Sequence, residues 1–262
     1  SAIAATVGMG NISGVAVAIT MGGPGTIFWM WVSAVVGMAT KFFEGTLTIL
    51  FKGKDSKGDP QGGPMYMITQ GLGQKWKPMA IFFSIFGLIG TLCLMQANQL
   101  TEALIATFVL PNGYKSTLGL KLGIGIFICV IVSIVVLGGI ERISKVSAKL
   151  VPTMVALYFI LVGYIIVTNL HVIPGVLSDI FTQAFQFKAG LGGLAGSAIV
   201  IGARRAAFVN EAGVGTASMM HGASKNTQPV REGLVAMIGP SIDSGLVCTL
   251  TAFAILINAQ YE

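Results

Sequence analysis

Long uncharged apolar runs alternate with short charged segments along the whole chain. A helix needs about 20 apolar residues to cross ~30 Å of hydrocarbon. Seven stretches meet or approach that length: residues 1–21, 26–51, 79–100, 122–140, 150–169, 189–203 and 233–257. The second opens with an uncharged part holding Phe28-Trp29-Met30-Trp31 and carries Lys41 and Glu44 in its lower half. The sixth is short and glycine-rich, and the seventh contains one acid, Asp243. The pattern predicts an all-α, polytopic membrane protein.

Seven spans leave six connections that alternate sides. Lys41, Lys52, Lys54, Lys57, Lys75 and Lys77 flank the second; Arg142, Lys145 and Lys149 fill the fourth; Arg204, Arg205, Lys225 and Arg231 fill the sixth. Of the 16 Lys and Arg, this leaves Lys115, Lys121 and Lys188 for the odd-numbered connections. The positive-inside rule then puts the even connections in the cytoplasm and residues 258–262 outside.

Composition agrees with that reading. Only 10% of the 262 residues are charged and 35 are glycine, against about 25% and about 7% in soluble domains. Too little polar surface remains to wrap an aqueous globule, and the hydrophobicity excludes disorder. The net charge of +6 is dispersed between spans, with no basic face carrying interleaved aromatics, so nucleic acid is not an expected partner. Cys93, Cys129 and Cys248 lie in apolar runs without a Cys-x-x-Cys or His spacing and read as small hydrophobes.

Two runs are interrupted. Gly8-Met9-Gly10-Asn11 breaks the first, followed by Ser13 and Gly14; Gly190-Leu191-Gly192-Gly193-Leu194-Ala195-Gly196 breaks the sixth. Each glycine costs a helix about 1 kcal/mol relative to alanine, and unwound backbone in lipid survives only when buried in protein or facing a polar ligand. Small residues also serve close helix packing, and Gly10 and Gly14 have that spacing. Two clusters five spans apart favour the other reading, a transporter built from inverted repeats with its site at the midplane. A half-helix N-terminus suits a carboxylate, and unwound carbonyls suit an ammonium or Na⁺. A zwitterionic amino acid matches both ends, and the glycines leave room for a small one. A dinucleotide fingerprint is excluded, because Ser13 stands where Gly8-x-Gly10 would need glycine and no strand precedes it.

Ordered motifs run along essentially the whole chain: Gly22-Gly23-Pro24-Gly25-Thr26-Ile27-Phe28-Trp29-Met30-Trp31-Val32-Ser33-Ala34-Val35-Val36-Gly37, then Gly62-Gly63-Pro64-Met65-Tyr66, Met95-Gln96-Ala97-Asn98, Leu137-Gly138-Gly139-Ile140, Lys149-Leu150-Val151-Pro152, Asn210-Glu211-Ala212-Gly213 and 229–237. Through them the chain resembles the alanine or glycine:cation symporter family of the amino acid–polyamine–organocation transporters, which share a LeuT-like fold. The first run is similar to that family's signature, with Thr26 where a smaller residue is usual. Met9, Leu194 and Val209 depart from the residues common in the family, which bears on selectivity.

The resemblance implies Na⁺-coupled, sometimes H⁺-coupled, import of alanine or glycine by alternating access. It makes the first, sixth and seventh spans core helices one, six and seven. Members of the family are longer, so residues 1–262 are expected to be a single transporter domain truncated at both ends, lacking core helix eight and holding half a cation site at most. Expected partners are the small amino acid, Na⁺ and the lipid bilayer of a cell membrane (the inner membrane in a bacterium), with no cofactor beyond the coupling ion.

The expected substrate contacts are the amides around Gly8, Met9, Gly10 and Asn11 for the carboxylate and the carbonyls near Gly192, Gly193 and Leu194 for the amine. Thr6 and Gly8 are expected to offer oxygens to the cation. The resemblance adds Gln96 to the substrate site; Asn98 has equal standing as an interhelical hydrogen bond. Asp243, well inside a span, is open to cation attraction, proton coupling or pairing with Arg204 or Arg205. Glu44 reads as a local partner of Lys41. Residues 210–225 form a cytoplasmic segment in which Glu211 and Arg205 are candidate gate charges, with a packed loop helix as the alternative. His221 reads as a surface or capping residue, and Trp29, Trp31 and Trp76 as interface anchors. An ion channel would need uncoupled currents, and an intramembrane enzyme a nucleophile–base pair; no His lies in any span.

Overall fold

The uninterrupted apolar runs become long helices. A computed structural model of the protein describes residues 8–54, 58, 60–92, 94–185 and 198–259. Helix α1 (Met9–Gly22) turns at Gly23 into α2 (Thr26–Leu50). A two-stranded antiparallel hairpin follows, β1 (Gly53–Lys54) and β2 (Pro60–Gln61), then α3 (Pro64–Tyr66), which winds into a π-helical turn. Helices α4 (Lys77–Gly90), α5 (Leu94–Leu104), α6 (Leu118–Val136) and α7 (Gly139–Thr168) come next. The chain continues through α8 (Ile173–Ala184), α9 (Ala198–Asn210), α10 (Thr216–Gly222), α11 (Pro229–Pro240), a π-helical segment Ser241–Val247 and α12 (Cys248–Ala259).

Among the described residues, Thr26–Leu50, Leu118–Val136, Arg142–Thr168 and Pro229–Asn258 are long and apolar enough to cross a membrane, and Gly10–Gly22 is a shorter apolar helix. The second, fourth, fifth and seventh expected spans therefore stand, and the others need correction. The third is two helices parted at 91–92, and its helical course runs on to Val109. Gly87 and Gly90 weaken the helix before the break, and the Thr91 hydroxyl bonds back to the Gly87 carbonyl at 2.9 Å. Of the sixth, the described helix is Ala198–Asn210, beyond the expected end at 203.

The basic residues taken as markers of connections lie largely within helices. Arg142, Lys145 and Lys149 belong to the first turns of α7, Arg204 and Arg205 to α9, and Lys41 is buried inside α2. Long basic side chains near a helix end can reach the interface while the backbone stays helical, so charge marks the membrane edge better than the helix end. The turn between α6 and α7 narrows to 137–138. Helix α8 has no counterpart among the seven runs. It is too short to span and apolar on one stripe only, with Val176, Ile180 and Ala184 buried.

The core lies where α1, α2, α8, α9 and α12 meet, around Val15, Ile27, Met30, Ile180, Val209, Cys248 and Ile257. Helix α2 is the spine, packing chiefly against α11 and α9. Backbone approach is close: a Cβ on Gly202 would stand 2.5 Å from the Thr26 carbonyl oxygen, and one on Gly45 would stand 2.8 Å from Ala236 Cβ. Trp29 and Trp31 are braces rather than free anchors. Their indole N–H groups donate to the Ala184 carbonyl and to Thr249 Oγ1, each at 2.7 Å. Trp76 is half exposed.

Candidate functional site

Helix α1 begins where the sequence places its glycine cluster. Gly8 is extended and Met9 is the first helical residue. From Gly10 on the helix is continuous through Asn11, Ser13 and Gly14, so of the expected break only Gly8 is non-helical, and residues 1–7 lie outside the described residues. Asn11, 1% exposed, closes the first turn: its amide donates to the Gly8 carbonyl at 3.0 Å, and its side-chain Oδ1 accepts the Gly8 N–H at 3.4 Å. The amides of Met9 and Gly10 lack intrahelical acceptors, as the first turn of any helix requires, and the helix dipole adds partial positive charge there. A Cβ on Gly10 would stand 3.7 Å from the Phe208 ring of α9, in ordinary contact. Phe208 escapes a sequence reading, because a lone aromatic in a span carries no signal of its own.

The second arm of the site is the π-helical segment of the last rod. Asn11 Nδ2 donates to the Asp243 carbonyl at 3.4 Å, which ties the first turn of α1 to 241–247. A π-helical turn widens the helix by one residue and recurs at functional sites. Asp243 and Ser244 are fully buried there. Of the remaining candidates, Thr6, Gly192, Gly193 and Leu194 lie outside the described residues. Gln96 and Asn98 are exposed on α5, which packs against α1 and α6.

At the basic end, the loop 211–215 and α10 fold over α2. Glu211 takes a left-handed φ of 52°, between Asn210 and the positive-φ glycines Gly213 and Gly215. The turn is held from three sides. Asn210 Oδ1 accepts the Ala212 N–H at 3.0 Å, Glu211 Oε2 accepts from the Thr216 hydroxyl, and Glu44 Oε1 of α2 accepts the Gly213 N–H at 3.0 Å. Glu44 thus bonds the loop as well as standing near Lys41. Lys41, three residues before Glu44 on α2, is 3% exposed. Arg205 Nη2 lies 4.0 Å from Met21 Sδ.

His221 is buried rather than on the surface. Its Nδ1 is 2.6 Å from Glu232 Oε1, while the other carboxylate oxygen accepts from Asn226 Nδ2 at 3.0 Å and Ser224 Oγ at 3.3 Å. This cluster pins α10 to the start of α11. Sequence spacing does not reveal it, because 11 residues and a loop separate the two partners.

Comparison with known proteins adds to this geometry. The sequence profile described as the sodium:alanine symporter family matches residues 1–262. The chain is 39% identical over 263 residues to the sodium/alanine symporter AgcS of Methanococcus maripaludis, covering 98% of this chain and 56% of that protein. It is 39% identical over 259 residues to the amino-acid carrier protein AlsT of Bacillus subtilis, covering 97% and 53%. It is also 39% identical over 264 residues to the putative sodium/proton-dependent alanine carrier protein YrbD of Bacillus subtilis, covering 100% and 52%. The chain spans about half the length of the curated relatives it matches.

Proposed function

The chain belongs to the sodium:alanine symporter family, a family of multi-pass cell-membrane transporters, and from that premise we propose that it serves a secondary active symporter importing alanine or glycine with Na⁺ by alternating access. The observation that carries this reading is the start of α1 at Gly8 and Met9, with its first turn closed by a buried Asn11 that also bonds the π-helical segment. Met9 and Gly10 amides receive the carboxylate. Carbonyls near Gly192, Gly193 and Leu194 receive the amine, and Gln96 borders the substrate. Thr6 and Gly8 contribute oxygens to the Na⁺, which is cargo here and not a resident cofactor. In this reading residues 1–262 form one domain carrying core helices one to seven of a LeuT-like inverted-repeat fold. Asp243, Glu211 and Arg205 act in gating or coupling.

Proton coupling is the second reading, favoured by the buried Asp243 and by the name of one relative, a putative sodium/proton-dependent alanine carrier. Uptake of labelled alanine by the complete natural protein in liposomes tests both. Accumulation is expected only with an inward Na⁺ gradient. Accumulation driven equally by a pH gradient without Na⁺ transfers the case to protons, and passive, gradient-independent entry overturns symport. Gly10→Val places a branched side chain against the Phe208 ring beside the first turn of α1 and is expected to abolish uptake with expression intact; unchanged kinetics would remove Gly10 from the site.

A further inference from the structure

The rod of α11, the π-helical segment 241–247 and α12 carries four hydroxyl side chains, Ser241, Ser244, Thr249 and Thr251. A helical hydroxyl usually bonds a carbonyl three or four residues back, and a buried one left unpaired is costly. Three of the four are paired. Thr249 donates to the Gly245 carbonyl and accepts the Trp31 indole N–H. Thr251 donates to the Val247 carbonyl at 2.9 Å and meets the Tyr158 hydroxyl, and Ser241 Oγ lies 3.3 Å from Met38 Sδ on α2. Ser244 breaks the pattern. It is fully buried, and its Oγ has no hydrogen-bond partner among the described residues.

Its place in the fold gives that hydroxyl a use. Pro240, without an N–H to donate, ends α11, and the chain passes into the wider turns of a π-helix, a geometry that recurs at functional sites. Asn11 Nδ2 donates to the Asp243 carbonyl at 3.4 Å, so Ser244 follows directly on the peptide group through which the rod meets the first turn of α1. The segment also packs against α2 and α9. The first turn of α1 offers the Met9 and Gly10 amides at the positive end of the helix dipole. A carboxylate has about four lone-pair sites to fill, more than two amides supply. A neutral hydroxyl is a suitable further donor, because it brings no second charge to be desolvated. Thr46, and Ser218 beside Thr48, also lack partners among the described residues, but they adjoin the last turns of α2 and not the first turn of α1.

We propose that Ser244 is a substrate-binding residue, its hydroxyl donating to the carboxylate of the transported amino acid beside the Met9 and Gly10 amides. This rests on the symport reading above and adds the π-helical segment to the site as a third arm. The unpaired hydroxyl is a cost to the ligand-free protein that the bound carboxylate removes.

The test uses the complete natural protein, purified for melting measurements and reconstituted in liposomes for uptake. Ser244→Ala deletes the hydroxyl and adds no volume. Without amino acid it is expected to melt at or above the wild-type temperature, since an unsatisfied group is gone. Alanine should raise the melting temperature of the wild type and, at the same concentration, raise that of Ser244→Ala much less. The KM for alanine uptake is expected to rise about tenfold, with the maximal rate and the Na⁺ dependence each changed less than about twofold. An unchanged KM with the full alanine-induced shift overturns the proposal. So does a lower melting temperature of ligand-free Ser244→Ala, which would show the hydroxyl bonded within the protein. Loss of apparent Na⁺ affinity at constant alanine KM also overturns it, by making the hydroxyl a cation ligand. Should Ser244→Ala not fold, Ser244→Gly takes its place and is read by KM and by the alanine-induced shift. Ethylamine, which is alanine without its carboxylate, separates this proposal from the symport reading: if it stabilises the wild type as well as alanine does, the carboxylate contact falls and symport stands. A wild type indifferent to alanine and glycine but stabilised by another amino acid refutes the substrate, and the same comparison is then read with that amino acid. Indifference to every common amino acid overturns both.

Discussion

The bundle of α1, α2, α9, α11 and α12 and the arm of α4 to α7 are both apolar, yet the more apolar helices are the less buried. Half of the Pro229–Asn258 window and a third of that of Thr26–Leu50 are buried, against none of Leu118–Val136 and 6% of Arg142–Thr168. In water this would be inverted. In a bilayer, lipid tails are as apolar as leucine, so hydrophobicity does not drive helices together; small residues and interhelical hydrogen bonds do. The bundle has both, through Gly25, Gly202, Gly233, Asn11 and Trp31. The arm's Gly119, Gly123, Gly125 and Gly163 face open space, and Ile126, Phe127, Leu157 and Ile160 are exposed.

The contrast breaks most severely at the bundle glycines. A Cβ on Gly233 would collide with Thr46 Oγ1 and stand 2.7 Å from the Phe42 carbonyl oxygen. Gly233→Val or Gly202→Val is therefore expected to cost about 3 kcal/mol or more, read as loss of the monodisperse peak after heating in detergent. Gly233→Val with the wild-type melting temperature would show that the α2–α11 contact does not hold the bundle. Next is Glu232→Ala, which leaves the buried His221 and the partly buried Asn226 and Ser224 without their acceptor, at about 2 kcal/mol. Thermal unfolding followed by loop proteolysis should show α10 released first.

Asn11→Ala sharpens the comparison from the site's side. It removes the closure of the first turn of α1 and the bond to the π-helical segment, at about 1–2 kcal/mol, and is expected to weaken alanine binding about tenfold in an equilibrium binding assay. Binding at wild-type affinity would separate the first turn from the substrate. The smallest effect is expected in the arm: Gly123→Ala should leave the melting temperature unchanged or raise it by an amount corresponding to about 0.5 kcal/mol. A drop as large as that of Gly233→Val would show that the open face of α6 is covered by protein and not by lipid.

The residues that sequence reasoning can read are those whose local chemistry conflicts with lipid. Gly8 announces a helix end and Asp243 a buried acid, because each breaks a run of apolar side chains, whereas Gly10 and Asn11, expected in a break, lie within the helix. Lys41, Glu44 and His221 mislead for the opposite reason. A lysine three residues from a glutamate looks self-sufficient, and a histidine in a polar stretch looks solvated; only packing reveals that a loop amide competes for Glu44 and that Glu232 reaches His221. Helix α8 escapes because its single buried stripe is shorter than a membrane is thick.

The sequence by itself determined that this chain is helical, that most of it lies in a bilayer and that it belongs among the symporters, because apolar length and ordered motifs are local properties that survive any arrangement of the helices. Which helices touch was decided only in three dimensions. Apolarity is satisfied equally by lipid and by protein, so the choice passes to backbone approach at glycine and to polar groups that find one another across hundreds of residues, as Asn11 finds Asp243.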